Sequence, residues 1–462
     1  MNGPAGDGRG EGISLPARVT ELLNTLHRAG QQAYVVGGCV RDSLLGRQPG
    51  DWDICTDATP DRTKAIFSGC RQILTGEKHG TVALVLDGTV YEITTYRVEG
   101  GYSDGRHPDG VRFVPELRAD LARRDFTVNA MAYSPEDGLV DLFGGQADLA
   151  ARRIRCVGDP AARFGEDALR ILRAVRFAAQ LDFTLDDATA QAAVSLRQTL
   201  DRISAERCFT ELDKLLAGLA AGRVLSRYGE ILAGAVPEIL PCIGCEQPGR
   251  WHCYDVWQHT AVAVGALDLR GIEPRGAQML RWAVFLHDLA KPCCRSVGAD
   301  GTVHFYGHNQ RGAKLAREIL RRLKAPANLI QGASSLVAIH DAPLPEGEPA
   351  ILRALGRYGA PFLRRLCRLK YADLDAHARN EAVLARRRDV EAFEQQMTRL
   401  AETGCYTVGM LQVNGGDVME RGVRPGPMVG QVLNRLLQAV INGELPNDRE
   451  ALLEALDRQR RK

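Results

Sequence analysis

The stretch that most constrains this 462-residue chain runs from Tyr34 to Pro60, YVVGGCVRDSLLGRQPGDWDICTDATP. A short apolar run, Tyr34 to Val36, leads into Gly37 and Gly38, then into a helix start that carries Arg41 and Asp42. A turn from Gly46 to Gly50 follows, and then Asp51-Trp52-Asp53-Ile54-Cys55. In extended backbone, residues two apart face the same way, so Asp51 and Asp53 aim two carboxylates at one spot. Two bare carboxylates that close repel each other, and a hard divalent cation relieves the repulsion. The glycine pair lets backbone approach a phosphate at a helix start. Glycines, an arginine and paired aspartates point to chemistry on a nucleoside triphosphate.

The surrounding chain reads as a small mixed α/β unit. Residues 13–30 have helical apolar spacing (Leu15, Val19, Leu22, Leu23, Leu26) and end at Gly30. Residues 60–69 read as a short helix opened by Pro60. Thr81–Leu86 and Val90–Tyr96 read as strands joined by Asp87-Gly88, a hairpin turn pair. If this hairpin lies beside Asp51 and Asp53, Glu92 is a candidate third carboxylate. Residues 99–118 lack a period, and Arg106 and Arg112 there are candidates to reach triphosphate or RNA backbone. Arg123, Arg124 and Asp125 follow, and DGLVDLFGGQADL closes the unit near residue 150.

From Phe164 the pattern is helical. Projected as one helix, Asp167, Arg170, Arg173 and Arg176 share an arc at steps of about 60°, opposite Ala168, Ile171, Leu172 and Val175. A solvated polar face is the plain explanation of such an arc. Its composition favours another: arginine forks and a carboxylate are the groups that read a base edge by paired hydrogen bonds. Helices continue to a break at Pro237, Pro241 and Pro248-Gly249. Cys242 and Cys245 lie within the break, but one CxxC without a second pair is weak support for zinc.

Beyond the break, His259, His287-Asp288, His308, His340 and Asp373 form a spaced series, each near a helix end or an apolar run. The order His, His-Asp, distant Asp is that of HD-type phosphohydrolases. Imidazoles plus carboxylates suit a divalent metal that activates water. His252, His304 and His377 are read as bystanders. The arginine-rich C-terminal helices are read as solvated faces or, more sharply, as RNA contacts.

Bulk properties bound the rest. This length implies two to four domains. A hydrophobic fraction of 45% and a charged fraction of 25% are those of a globular protein. No apolar run spans a bilayer, and the polar, glycine-rich start lacks an apolar signal core, so a cytoplasmic location is expected. Twelve cysteines in so long a chain suit buried thiols, not a disulfide framework. Net charge is only +2, but arginines cluster at 106–124, 152–176 and 364–388, which is compatible with nucleic-acid binding.

Taken together, GGCVRDSLLGRQPGDWDI, YEITTYR, RRDFTVNAMAY and GEDALRILRAVRF resemble the motif set of class II CCA-adding enzymes, in the tRNA nucleotidyltransferase/poly(A) polymerase family. The histidine series and GGDVMERGVRPGPMVG resemble the bacterial branch with an HD domain. The resemblance implies an α+β fold: a disordered N-terminus (1–12), a nucleotidyltransferase head (13–155), a helical neck (156–240), an HD domain (250–380) and a helical tRNA-binding tail (381–462). It implies addition of C, C and A from CTP and ATP to the 3′ end of tRNA, with pyrophosphate leaving. A-only, CC-only and poly(A) addition share these motifs, and a mainly phosphohydrolytic enzyme is the further alternative. Under this resemblance Asp51 and Asp53 hold Mg²⁺, with Glu92 as third carboxylate. Gly38 and Arg41 meet the phosphates, and Arg124 the sugar or triphosphate. Asp167 and Arg170 read the base, supported by Arg173 and Arg176. His259, His287, Asp288, His308, His340 and Asp373 hold a divalent metal of unspecified identity. No oligomeric state is implied.

Overall fold

The computed structural model describes residues 13–100 and 110–460, so Arg106 and the expected disordered N-terminus lie outside the described residues. The chain forms two compact units, Met1–Leu240 and Pro241–Lys462. The boundary between them in the chain falls at the proline-rich break expected from the sequence. The expected head and neck fall in the first unit, the histidine series and tail in the second.

In the first unit the strands are β1 (Ala33–Val36), β2 (Ile54–Thr56), β3 (Arg71–Ile73), β4 (Thr81–Leu86), β5 (Thr89–Thr95), β6 (Arg97–Glu99), β7 (Val111–Phe113), β8 (Met131–Ser134), β9 (Gly138–Asp141), β10 (Arg153–Ile154) and β11 (Thr184–Leu185). Seven of them form one mixed sheet in the order β3-β4-β5-β2-β1-β8-β9. The β4–β5 hairpin turns at Asp87 and Gly88, both with positive φ, as a two-residue hairpin turn requires. β1 is buried on both faces, which its uninterrupted Ala-Tyr-Val-Val sequence suits. Tyr34, Val36, Cys55, Tyr96, Leu121 and Ala132 form a core cluster beside it.

The helices of this unit are α1 (Ala17–Arg28), α2 (Gly38–Leu44), α3 (Pro60–Ile66), α4 (Leu117–Ala122), α5 (Gly145–Ala150), α6 (Pro160–Glu166), α7 (Leu169–Leu181), α8 (Asp187–Leu196), α9 (Ala205–Leu216) and α10 (Ala221–Leu232). The single helix expected across Phe164–Leu181 is broken. Asp167 is extended (φ −140°, ψ 105°) and ends α6, and α7 begins at Leu169. The break is stabilised locally, because the Asp167 carboxylate accepts the otherwise orphaned N–H of Leu169 at 3.0 Å.

The second unit is helical: α11 (Val256–Gly265), α12 (Pro274–Leu286), α13 (Lys291–Cys294), α14 (His308–Arg322), α15 (Ala327–Ile339), α16 (Glu348–Tyr358), α17 (Ala360–Asp375), α18 (Glu381–Thr403), α19 (Gly415–Glu420), α20 (Pro427–Ile441) and α21 (Arg449–Arg460). A short hairpin, β12 (Ser296–Val297) with β13 (Val303–His304), precedes α14. Asn414 and Asp417 close a reciprocal capping box on α19. Among the described residues, no helix is long and apolar enough to cross a membrane.

Candidate active site and a histidine–aspartate centre

The first site is built on the pairing of β2 with β5. Ile54 lies opposite Ile93 in parallel register, so the preceding residues, Asp53 and Glu92, are side by side on the opposite face. Asp51 and Asp53 themselves precede the assigned strand and form its lead-in, with the Asp53 carbonyl accepting the Val36 N–H at 3.0 Å. The Asp53 carboxylate is reached by solvent yet closely surrounded. That partial desolvation, then the Asp51 charge, raises its pKa; Glu92 adds to the rise and Arg124 opposes it. A carboxylate destabilised by its neighbours' charges is what a hard cation relieves, so these residues fit Mg²⁺. Among the described residues, however, Asp51, Asp53 and Glu92 are not drawn into a tight cluster of the kind formed in the second unit.

The glycine pair divides its work. Gly37 has φ +83°, and a Cβ there would stand 2.9 Å from Arg124 Nη1, so only glycine fits. Its N–H is donated to Met131 O at 3.2 Å. Gly38 begins α2. Arg124 lies over Gly37, with its Nη2 3.4 Å from Asp120 and its buried Nε unpartnered.

Arg41 differs from expectation. It is 8% exposed, and its nitrogens are bound within the protein: Nη1 to Asn129 at 2.6 Å, Nε and Nη2 to Asp42 at 2.9 Å each. Asn129 donates onward to Asp125 at 3.1 Å, and Arg173 holds the other Asp125 oxygen. The guanidinium groups of Arg41, Arg173 and Arg176 surround the ring of Phe177 at 5.0, 5.3 and 3.6 Å. Arg176 is buried on Glu211 (2.7 Å) and Gln180 (2.9 Å). These three arginines thus brace the unit and are not a solvated arc.

Asp167 and Arg170 are also engaged. Arg207 Nη2 donates to Asp167 Oδ2 at 2.7 Å, while Arg207 Nη1 is buried without a partner. Arg170 pairs with Glu166 and donates to the carbonyls of Arg163 (3.2 Å) and Arg123 (3.1 Å). Sequence reading missed Arg207; its place one turn into a helix beginning at Ala205 carried no visible signal. Ser204 precedes that helix without a side-chain cap bond. Arg112 lies exposed on β7.

The second site gathers the histidine series. His287 ends α12, His340 ends α15 and His308 begins α14, while His259 lies within α11 and Asp373 in the last turn of α17. Four rings share one orientation. The Nδ1 atoms of His259, His287, His308 and His340 meet the carbonyls of Ala376, Val284, Phe305 and Val337 at 2.7–3.1 Å. A carbonyl only accepts, so Nδ1 carries the proton and the Nε2 lone pair is free. These lone pairs converge on Asp288. His287 Nε2 is 3.3 Å and His259 Nε2 3.5 Å from Oδ2; His308 and His340 Nε2 are 3.6 Å from Oδ1. His259 also meets Asp373 at 2.9 Å. Two groups result, one of four residues (His259, His287, Asp288 and Asp373) and one of three (Asp288, His308 and His340), sharing Asp288.

The donor set fits divalent cations. The Nε2 atoms of His259 and His287 face each other at 3.4 Å, as do those of His308 and His340. Neither lone-pair couple makes a hydrogen bond without an added positive charge. Both Asp288 oxygens are buried without a well-aligned hydrogen bond, although Lys291 Nζ stands 2.7 Å from one. Burial pulls His287 down, but Asp288 and Asp373 outweigh it and hold the ring up at about 10, so a proton occupies its Nε2 whenever a cation does not. His259, by contrast, is lowered by burial. His252 and His377 are not bystanders: with His259 they form a third histidine group, because the loop before α11 and the end of α17 meet there. Cys242 instead is buried, with its thiol on Leu289 O, and neither it nor Cys245 joins a metal-holding group among the described residues.

Comparison with known proteins follows this division of sites. Residues 33–155 match the family described as the poly A polymerase head domain, and residues 182–230 the probable RNA and SrmB- binding site of polymerase A. Residues 308–456 match tRNA nucleotidyltransferase domain 2 (putative). A CCA-adding enzyme of Bacillus licheniformis is 36% identical over 442 residues, covering 94% of this chain and 96% of that one. One of Geobacillus thermodenitrificans is 37% identical over 432 residues, covering 93% and 94%. Among solved structures, the Bacillus stearothermophilus CCA-adding enzyme in complex with CTP is 32% identical with a TM-score of 0.68, covering 96% and 97%. The Thermotoga maritima CCA-adding enzyme complexed with tRNA shares the fold, at 22% identity and a TM-score of 0.61. With its carboxylate-bearing sheet, its helical second half and relatives matched nearly end to end, the chain belongs to the CCA-adding enzymes, a family of nucleotidyltransferases.

Proposed function

We propose that the first unit adds C, C and A to the 3′ end of tRNA from CTP and ATP. The observation that carries this reading is the β2–β5 register, which sets Asp53 beside Glu92 in the same compact unit as Asp167 and Arg170. Asp51, Asp53 and Glu92 would hold Mg²⁺, which supplies activation of the tRNA 3′-hydroxyl and charge neutralisation at the triphosphate. The hydroxyl oxygen bonds to the α-phosphorus as the bond to pyrophosphate breaks. Arg124, whose buried Nε has no partner, is the residue we assign to the triphosphate, next to Gly38 at the start of α2. Asp167 and Arg170 present a carboxylate and a guanidinium to the base edge, so nucleotide choice needs no nucleic-acid template. Arg41, Arg173 and Arg176 hold these parts in position. Supplying CTP or ATP singly to tRNA lacking the last three, two or one residues tests the reading. Two C additions followed by one A addition are expected; A-only, CC-only or unlimited A addition overturns it.

A second reading concerns the histidine–aspartate centre, and the convergence of four Nε2 atoms on Asp288 favours it. We assign the centre a pair of divalent cations and a hydrolytic activity on phosphoesters. Metal analysis of the purified protein, with and without His287→Ala, tests the binding. Assays on phosphomonoesters and 2′,3′-cyclic phosphates under several metals test the hydrolysis, and no turnover under any of them makes the site structural.

A further inference from the structure

The mouth of the histidine–aspartate centre is furnished for something larger than a phosphate. A cavity of about 340 Å³ opens above Asp288, His308, His340 and Asp373, walled by Trp251, Tyr306 and Arg386. Tyr306 lies flat on His304, with centroids 4.8 Å apart and planes 16° from parallel, yet it is 74% exposed. One face of the ring is thus buttressed and the other is open to solvent. Across the cavity, the Arg386 guanidinium lies 4.1 Å from the Trp251 ring centre, with Arg250 at 5.0 Å. Among the described residues, neither the Arg386 nor the Arg250 side chain has a hydrogen bond or an ion pair. Arginines held at fixed places by an aromatic ring and in no ion pair are cations available to an incoming anion, although Asp341, Glu346 and Asp389 line the same cavities.

The cleft does not stop at the centre. A second cavity of about 480 Å³ shares His340, Asp341, Asp373 and Arg386 with the first, and runs on between residues 341–347 and α18. An open channel passing on both sides of the centre suits a chain, whereas an enclosed pocket would suit a single small molecule. An aromatic platform, unpaired arginines and an open groove are the parts that hold single-stranded nucleic acid: bases stack without regard to sequence, and the cations follow the backbone.

We propose that this cleft binds a short single-stranded RNA segment across the histidine–aspartate centre, with a base stacked on the open face of Tyr306 and backbone phosphates at Arg386 and Arg250. The proposal takes from the hydrolytic reading only the position of the centre. RNA is the nucleic acid in question because the first unit's proposed substrate is an RNA end.

The test uses the full chain with EDTA, so that nothing is cleaved, and follows fluorescence anisotropy of labelled hexa-adenylate RNA. Tyr306→Ala and Arg386→Ala each weaken binding at least about fivefold, as the loss of one stacking or cationic contact does. Tyr306→Phe, which keeps the platform, binds as the wild type does, and CTP incorporation into tRNA is unchanged in all three. Wild-type affinity in both alanine variants overturns the proposal, as does a wild type that binds no hexa-adenylate. Competition by AMP as effective, per molecule, as by the hexamer also overturns it, in favour of a mononucleotide site. Hydrolysis is scored separately: Tyr306-dependent binding without turnover under any metal removes the hydrolytic reading and leaves the RNA cleft in place.

Discussion

Arg173 reaches back 48 residues to Asp125 and places Nε at 2.8 Å and Nη2 at 2.6 Å from the same carboxylate oxygen. Asp125 also accepts from Asn129, which in turn holds Arg41. One buried carboxylate therefore ties the helix that follows Asp167 to the helix that starts at Gly38.

That tie is pH-dependent. Burial pushes the Asp125 carboxyl up, but Arg173 and Asn129 outweigh it and pull it to about 2, below its ordinary 3.8. A depressed folded-state value means full stabilisation above about pH 4, lost as pH falls toward 2, and worth about 2 kcal/mol. In Asp125→Asn, stability at neutral pH is lower and its fall between pH 4 and 2 is shallower. Urea unfolding across that range, followed by hydrogen exchange in residues 120–180, measures both; an unchanged pH slope refutes the assignment.

Removing the Asp53 carboxylate separates chemistry from binding. Asp53→Ala is expected to lower nucleotide addition at least about a thousandfold, since it removes a proposed metal ligand, while tRNA affinity measured by filter binding stays within about twofold. Near-normal addition by this variant places the reaction elsewhere.

Gly37→Ala tests the crowding at the start of α2. The new Cβ has to enter a backbone conformation that L residues avoid and stand 2.9 Å from Arg124 Nη1. A stability loss of about 1–3 kcal/mol follows from the backbone alone. Displacement of Arg124 adds a rise in KM for both CTP and ATP. Wild-type stability and KM together contradict this geometry.

Arg207 is a positioning residue for Asp167. Arg207→Met leaves one Asp167 oxygen without its partner, and we expect nucleotide discrimination, scored as kcat/KM for CTP over UTP, to fall about tenfold, the effect of one charge-assisted hydrogen bond. Arg207→Lys recovers part of it. An equal loss for every nucleotide indicates a purely structural role.

Metal analysis bears on the second unit. Asp288→Asn removes the negative charge that the two ligand groups share and is expected to lose both ions, whereas His308→Ala loses one. Equal metal content in both variants and the wild type rules out the bridging arrangement.

The sequence made some of this legible because local rules sufficed. Asp87-Gly88 announces its hairpin, and the pairing of that hairpin with β2 brings Glu92 to Asp53 as the two-residue period predicts. Asp167 was misplaced because an unbroken helical period runs through it: periodicity cannot see one extended residue whose own side chain caps the next helix. The sequence reads Arg41 as a phosphate contact and Arg176 as a support of the base reader or a phosphate contact; their burial depends on Asp42, Asn129, Glu211 and Gln180, of which Asn129 and Glu211 are distant in sequence. His252 and His377 join the second site through a loop and a helix end that only the tertiary fold brings together.

If Asp167 reads the base as proposed, the break there sets how nucleotide selection can change during three additions. Helix α7 is packed by Ile171, Leu172, Ala174 and Val175, all fully or nearly fully buried, and moving it would disturb the core. Asp167 stands outside that helix, on a joint between two rods. Rotation about its side-chain torsions re-aims the carboxylate while both rods stay still. On the proposed reading, the choice between pyrimidine and purine rests on a knuckle of one residue, and the scaffold has no reason to move.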